Sequence, residues 1–206
     1  MRNTRRRVVE LLKLQGTMTT EELGRKLRIT SMGARGHLIN LEREGLVERQ
    51  PEQRGRGRPS YVYALTERGD EFFPRTYDQL ADSLLDALRS LEGEAGLDRL
   101  FERRTAELEA QYRVHLDGKP LRDRVRKLAQ IRTAEGYMAN WERLAEDEFV
   151  LREHNCAICQ VARRYRQVCS YELELFRRAL PDVEVSRQQH IIPGDQVCTY
   201  LIRSKG

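Results

Sequence analysis

The apolar spacing of the first 65 residues changes once, at Gly45, and that change constrains the fold more than any other feature. Before it the spacing is helical. Residues 4–15 place Val8, Leu11 and Leu12 on one side. Thr17-Met18-Thr19 breaks this run, and Thr19 and Glu22 are then spaced as a capping box, with Leu23 and Leu27 as the apolar stripe of a short second helix. Ser31 is expected as the N-cap of a third helix, in which Ala34, Leu38 and Leu41 fall at i, i+4 and i+7 and Gly45 is the stop. After Gly45 the runs 46–49 and 60–65 read as two strands around the Gly- and Arg-rich segment 50–59.

Three short helices followed by a hairpin is the order of a winged helix-turn-helix, whose third helix lies in the DNA major groove. The sequence resembles the ArsR-type winged-helix regulators at 19–27, at 31–47, and at Gly57-Arg58-Pro59 leading to Tyr63-Ala64-Leu65-Thr66. The side of the third helix opposite Ala34, Leu38 and Leu41 carries Ser31, Met32, Arg35, Gly36 and His37. Arg35 has the donors to read guanine O6 and N7. Ser31 and His37 can reach bases or phosphates, and Met32 a thymine methyl. Gly33 and Gly36 each cost about 1 kcal/mol of helix propensity relative to Ala. Their gain is either close backbone approach to DNA or nothing of consequence. Arg54, Arg56 and Arg58, with Gly55 and Gly57 between them, form a cationic wing loop suited to phosphates or a minor groove.

Charge supports a polyanion partner for this region. Residues 1–65 hold 14 Lys and Arg against 7 Asp and Glu, a net of +7, while the whole chain is +5, so residues 66–206 carry −2. The rival reading of the basic excess is a merely solvated face.

Residues 70–135 read as helical. Leu80, Leu84, Leu88 and Leu91 make one stripe, a second run extends from Leu97 to Leu116, and Pro120 suits the start of a third helix. A DNA-reading head generally needs a twin to grip an operator, so this region is expected to form a homodimer rather than only pack on itself. From Gly136 the pattern changes to hairpin, helix and hairpin: strands at 137–144 and 148–154 about Glu146-Asp147, helix over 157–180, and strands at 183–192 and 197–202 about Pro193-Gly194-Asp195-Gln196.

All four cysteines lie in this last part, at Cys156, Cys159, Cys169 and Cys198. Such clustering points to metal, cluster or redox chemistry more than to structural disulfides. A straight helix from Cys156 to Cys169 would separate them by roughly 20 Å, too far for one site, so the chain must break between them, at Tyr165-Arg166-Gln167. Asn155 and Ser170 are expected as helix N-caps, which would favour the neighbouring thiolates. Structural zinc, a Cys156–Cys159 redox dithiol and buried thiols without metal stay open on spacing alone. His154 and His190 read as strand-end polar residues more than as ligands.

The whole chain resembles the SufR-like repressors, most specifically at Asn155-Cys156, Cys169, and His190-Ile191-Ile192-Pro193-Gly194-Asp195 leading to Cys198-Thr199-Tyr200-Leu201-Ile202. The resemblance implies an iron–sulfur cluster, 4Fe–4S or 2Fe–2S, on Cys156, Cys169 and Cys198. Cys159 or His190 would be the fourth ligand. It also implies a cluster-dependent repressor of iron–sulfur assembly genes.

The expected architecture is therefore mainly α with an α+β C-terminal part. It comprises a winged helix-turn-helix over 1–69, dimerisation helices over 70–135 and an α+β cysteine domain over 136–206. The expected partners are a double-stranded DNA operator and a second copy of the chain. No hydrolase elbow, phosphate loop or paired-carboxylate site is legible, so an enzyme is not expected. The alternatives are a regulator with structural zinc or a small organic ligand, and a CxxC redox protein with an accessory winged helix. No run approaches eighteen uncharged apolar residues, and Glu10 and Lys13 interrupt the stretch behind the basic start, so the expectation is a cytoplasmic protein without a membrane span.

Overall fold

The computed structural model describes residues 3–52 and 60–205. The chain divides into two compact units, Met1–Arg75 and Thr76–Gly206. It is mainly helical, with one small antiparallel sheet in each unit. No helix among the described residues is long and apolar enough to cross a membrane.

The first unit has the winged helix-turn-helix order: α1 (Asn3–Gln15), β1 (Met18–Thr19), α2 (Thr20–Leu27), α3 (Ser31–Arg43), β2 (Val47–Glu52), β3 (Ser60–Leu65) and α4 (Glu67–Asp70). Val8, Leu12, Leu23, Leu38 and Leu41 meet in one core that Val47 and Tyr63 close from the hairpin. The capping box forms as expected. The Glu22 amide donates to Thr19 Oγ1 at 3.2 Å and the Thr19 amide to Glu22 Oε2 at 2.8 Å.

Two local expectations need correction. The N-cap of α3 is Thr30, whose hydroxyl accepts from the Gly33 amide at 3.1 Å; Ser31 is the first helical residue. Met18 and Thr19 do more than interrupt two helices. They pair with Tyr63 and Val62 and give the sheet the order β1-β3-β2.

Gly69 shows how closely this unit is packed. A Cβ there would sit 2.0 Å from the Leu46 carbonyl oxygen, so only glycine lets α4 close over the base of the hairpin. Lys13 of α1 binds Asp70 at 2.7 Å beside it. Gly69→Ala is expected to lower stability by about 1–3 kcal/mol, read as a lower urea midpoint for the unfolding of the first unit in the full chain.

The second unit is built from α5 (Tyr77–Leu116), α6 (Leu121–Ala134), β4 (Ala139–Ala145), β5 (Glu148–Glu153), α7 (Cys159–Arg164), α8 (Gln167–Ala179), β6 (Val183–Gln189) and β7 (Cys198–Ser204). Its sheet is antiparallel in the order β4-β5-β7-β6. The helices expected over 70–135 and the hairpins beyond them share one core. Tyr112, Leu116, Val125 and Leu128 pack with Phe149, Phe176, Tyr200 and Ile202. α5 is interrupted at Gly93, whose φ of 67° and ψ of −166° lie outside the helical region and kink the element into two arms.

Candidate functional site

Strand alternation builds the site. Side chains two residues apart share a face, so Phe149 and Leu151, both in the core, bring Glu153 to the same face. In the same way Ile202 and Tyr200 bring Cys198, and Val183 and Val185 bring Arg187. Glu153 is the direct partner of Cys198 across β5 and β7, and Arg187 of Tyr200 across β6 and β7. The register of β6 on β7 slips between Arg187 and Gln189, the kind of bulge that re-aims side chains beside functional sites.

At this end of the sheet three further segments arrive. The turn after β5 brings Cys156, the first turns of α8 bring Cys169 and Glu172, and the loop before β7 brings His190 and Ile192. Together with Tyr137, Glu153, Arg187, Cys198 and Tyr200 they line one cavity of about 20 Å³, which is room for about one water. Cys159, at the start of α7, is half-buried. It stands outside this lining but close enough for its charge to act on both Cys156 and Cys169. The break that brings Cys156 and Cys169 together falls between α7 and α8, at Tyr165 and Arg166. His154 lies elsewhere, with its ring bonded to Asn140 at 2.8 Å.

The expected helix caps do not form. Ser170 lies inside α8, and Asn155 uses its side-chain amide to donate to the Gly136 carbonyl at 2.6 Å. The start of α7 contributes through the Ile158 amide, which favours the Cys156 thiolate, and burial acts the other way. It pushes the Cys156 thiol up to about 12 and the Cys169 thiol up to about 11, and Cys198 is raised as well. Arg187 partly offsets this at Cys169 and Cys198. The Ile191 amide donates to Cys198 Sγ at 3.3 Å. Burial and the charge of Arg187 lower the His190 pKa and so favour the neutral imidazole.

The donor set suits a thiolate-bound group. Three sulfurs from three separate chain segments share a cavity with a fourth beside them, and a guanidinium lies in the wall. Among the described residues no group of three or more His, Cys, Asp or Glu side chains is arranged to hold a metal ion. A single tetrahedral zinc draws its sulfurs to about 2.3 Å from one point. An iron–sulfur cluster has several metal atoms and spreads its thiolates more widely.

Beneath the cavity lies a feature that sequence reasoning missed. Arg132 of α6 is fully buried at 0% exposure. Its Nε donates to Glu153 at 2.6 Å, one Nη donates to Glu172, and the other reaches Tyr112 at 3.2 Å and Glu135 at 3.1 Å. Its guanidinium carbon sits 3.4 Å from the centre of the Tyr137 ring. Burial pushes the Glu172 carboxyl up, but Arg132 and Arg104 more than reverse this and leave it below the ordinary value. Glu153 stays raised, because burial and the nearby Glu172 charge outweigh Arg132 and Arg187.

In the first unit, Ser31, Met32 and Arg35 of α3 are exposed, Met32 at 73%, and His37 is half-buried, while Ala34, Leu38 and Leu41 are sealed in the core. The helix thus turns one polar, cationic face outward. Arg54, Arg56 and Arg58 lie outside the described residues. A flanking contact not anticipated from sequence is Arg49, stacked 4.4 Å over the Tyr61 ring on the hairpin.

No family model and no curated protein matches the chain. Among solved structures it is similar to a transcriptional regulator homologue from Pyrococcus horikoshii OT3 (22% identity over 44% of this chain and 85% of that one, TM-score 0.31). It is also similar to the transcriptional regulator PA4135 (28%, 58% and 80%, TM-score 0.32). A third is NMB1585, a MarR family regulator from Neisseria meningitidis (22%, 58% and 82%, TM-score 0.31). Scores at this level leave the functional reading to the residues of the chain itself.

Arg132→Met leaves two buried carboxylates without their shared cation, so a loss of about 3–5 kcal/mol is expected. Adding Glu153→Gln to that variant removes one of the stranded charges and is expected to recover part of the loss, as read by a double-mutant cycle in urea unfolding. Simple addition of the two losses would show that the buried ion pair is not the source.

Proposed function

We propose that this chain is a DNA-binding transcriptional regulator that acts as a homodimer and carries an iron–sulfur cluster as its signal. Cys156, Cys169 and Cys198 are the ligands, with Cys159 or His190 as the fourth. The reading rests on one observation above all: three cysteines, far apart in sequence, line a single cavity in a chain whose other unit is a winged helix with an exposed cationic α3. When bound, the cluster supplies a redox- and iron-sensitive cross-link between chain segments.

The residues of the chain supply the rest. Cys156 and Cys169 bracket α7, and α7 is tied to the first arm of α5. Arg164 binds Asp86 at 2.6 Å, and the Tyr165 hydroxyl donates to Asp86 at 2.6 Å. Fixing both cysteines therefore fixes the segment that holds this arm, the arm that continues directly from the first unit. Loss of that restraint frees the arm and shifts the population of head orientations. Leu80, Leu84 and Leu91 on the same arm are exposed at 54%, 61% and 83%, which supports a face covered by the second copy.

Anaerobic purification followed by absorption, iron and acid-labile sulfide assays tests the cluster. A brown protein with matching iron and sulfide is expected, and Ser at Cys156, Cys169 or Cys198 should abolish it. Whichever of Cys159→Ser and His190→Ala also loses the cluster names the fourth ligand. Stoichiometric zinc in a colourless protein that cannot be reconstituted would defeat the reading.

The DNA face is tested on specific and random duplexes. Arg35→Ala is expected to cost about 1–3 kcal/mol on the specific site and little on random DNA. Neutralising Arg54, Arg56 or Arg58 should weaken both alike and flatten the salt dependence. Equal loss on both duplexes for Arg35→Ala would remove it from base reading.

A further inference from the structure

The Arg187 side chain in the cavity wall carries a buried polar atom whose bonding is incomplete. Arg187 donates one Nη to the Cys169 carbonyl oxygen, and its guanidinium lies 5.4 Å from the Tyr200 ring centre. Its Nε is buried and has no hydrogen-bond partner among the described residues. A buried donor left without an acceptor is destabilising. Cys169 and Cys198 are within electrostatic range of this same guanidinium. The two carboxylates of the cavity wall already have partners. Glu153 and Glu172 are bound by Arg132, and Glu172 also by Arg104. The acceptor for this donor is therefore not supplied by the described residues.

The geometry points to Arg187 as the positioning and potential-setting residue of the bound iron–sulfur cluster, its Nε–H donating to a cluster or thiolate sulfur. This inference rests on the cluster reading above. The chemistry follows from charge. Thiolates and sulfides make the cluster anionic, and each electron added makes it more so. A fixed cation with a hydrogen bond to sulfur stabilises the reduced form most and raises the reduction potential. Lysine keeps the charge but lacks the planar fork, so it cannot hold the Cys169 carbonyl and a sulfur together.

The experiment is a dithionite titration of the anaerobically reconstituted full chain, monitored by visible absorption and electron paramagnetic resonance. It compares wild type, Arg187→Lys and Arg187→Gln, with iron, sulfide and circular dichroism measured on each sample. Arg187→Gln is expected to shift the one-electron reduction equilibrium at least tenfold toward the oxidised cluster, about 59 mV, and Arg187→Lys by less. A purely structural role for Arg187 would lower loading or thermal stability and leave the potential of the loaded fraction unchanged. Wild-type potential in both variants overturns the inference while leaving the cluster reading intact. Wild type that takes up no iron and sulfide overturns both. Should neither variant load, the reduced wild type labelled with ¹⁵N-arginine decides by pulsed electron paramagnetic resonance. A nitrogen coupling to the cluster spin supports the contact, and its absence overturns it.

Discussion

The second unit is organised around the buried guanidinium of Arg132. A cation sealed from water is tolerated only when charge and hydrogen bonds surround it. Here the surroundings come from α6 itself, α5, β5 and α8, through Glu135, Tyr112, Glu153 and Glu172. Helix and sheet positions that apolar packing alone would leave free to slide are thereby held in one register. Two of the carboxylates that serve Arg132 also line the cysteine cavity. The floor of the candidate site and the keystone of the fold are the same side chains, so the cavity cannot change shape without disturbing the ion pairs beneath it.

That arrangement explains the division of labour in the cavity wall. Glu153 and Glu172 lend their charge to Arg132 and have little left to offer a ligand. Arg187, on a bulged edge strand, is the cation held in place by a backbone carbonyl and an aromatic face instead of by a carboxylate. Three thiols whose pKa burial raises then share a cavity with one donor that has no carboxylate partner. The raised thiols hold their protons, so a thiolate-bound group would have to displace those protons on binding.

Much of the first unit was legible because its signals are local. Ala34, Leu38 and Leu41 recur on a helical period, and the Thr19–Glu22 box needs only three residues of separation. β1 escaped because two residues carry no periodicity. Thr30 and not Ser31 caps α3, and adjacent hydroxyls give the same capping signal in sequence. In the second unit the strands, the break near Tyr165 and the clustering of cysteines were visible in spacing. The Arg132 network was not, since an arginine among Arg122, Arg124, Arg126 and Lys127 reads as one more solvated cation. Its carboxylate partners at Glu153 and Glu172 are distant in sequence. The proposed caps at Asn155 and Ser170 failed for a related reason: where α7 and α8 begin is decided by packing against α5.

The kink at Gly93 turns α5 into two levers of unequal length. The first arm is fastened to α7 through Asp82 and Asp86, and the second to α8 through Glu102 and Glu172-bound Arg104. α7 and α8 meet at Tyr165 and Arg166, so the two arms and the two short helices form a closed linkage with one joint at each end. At 1.5 Å per residue the first arm is about 24 Å long, and a rotation of about 10° at the joint carries its far end about 4 Å. A small rotation at the Gly93 joint is thus magnified at the far end of the first arm.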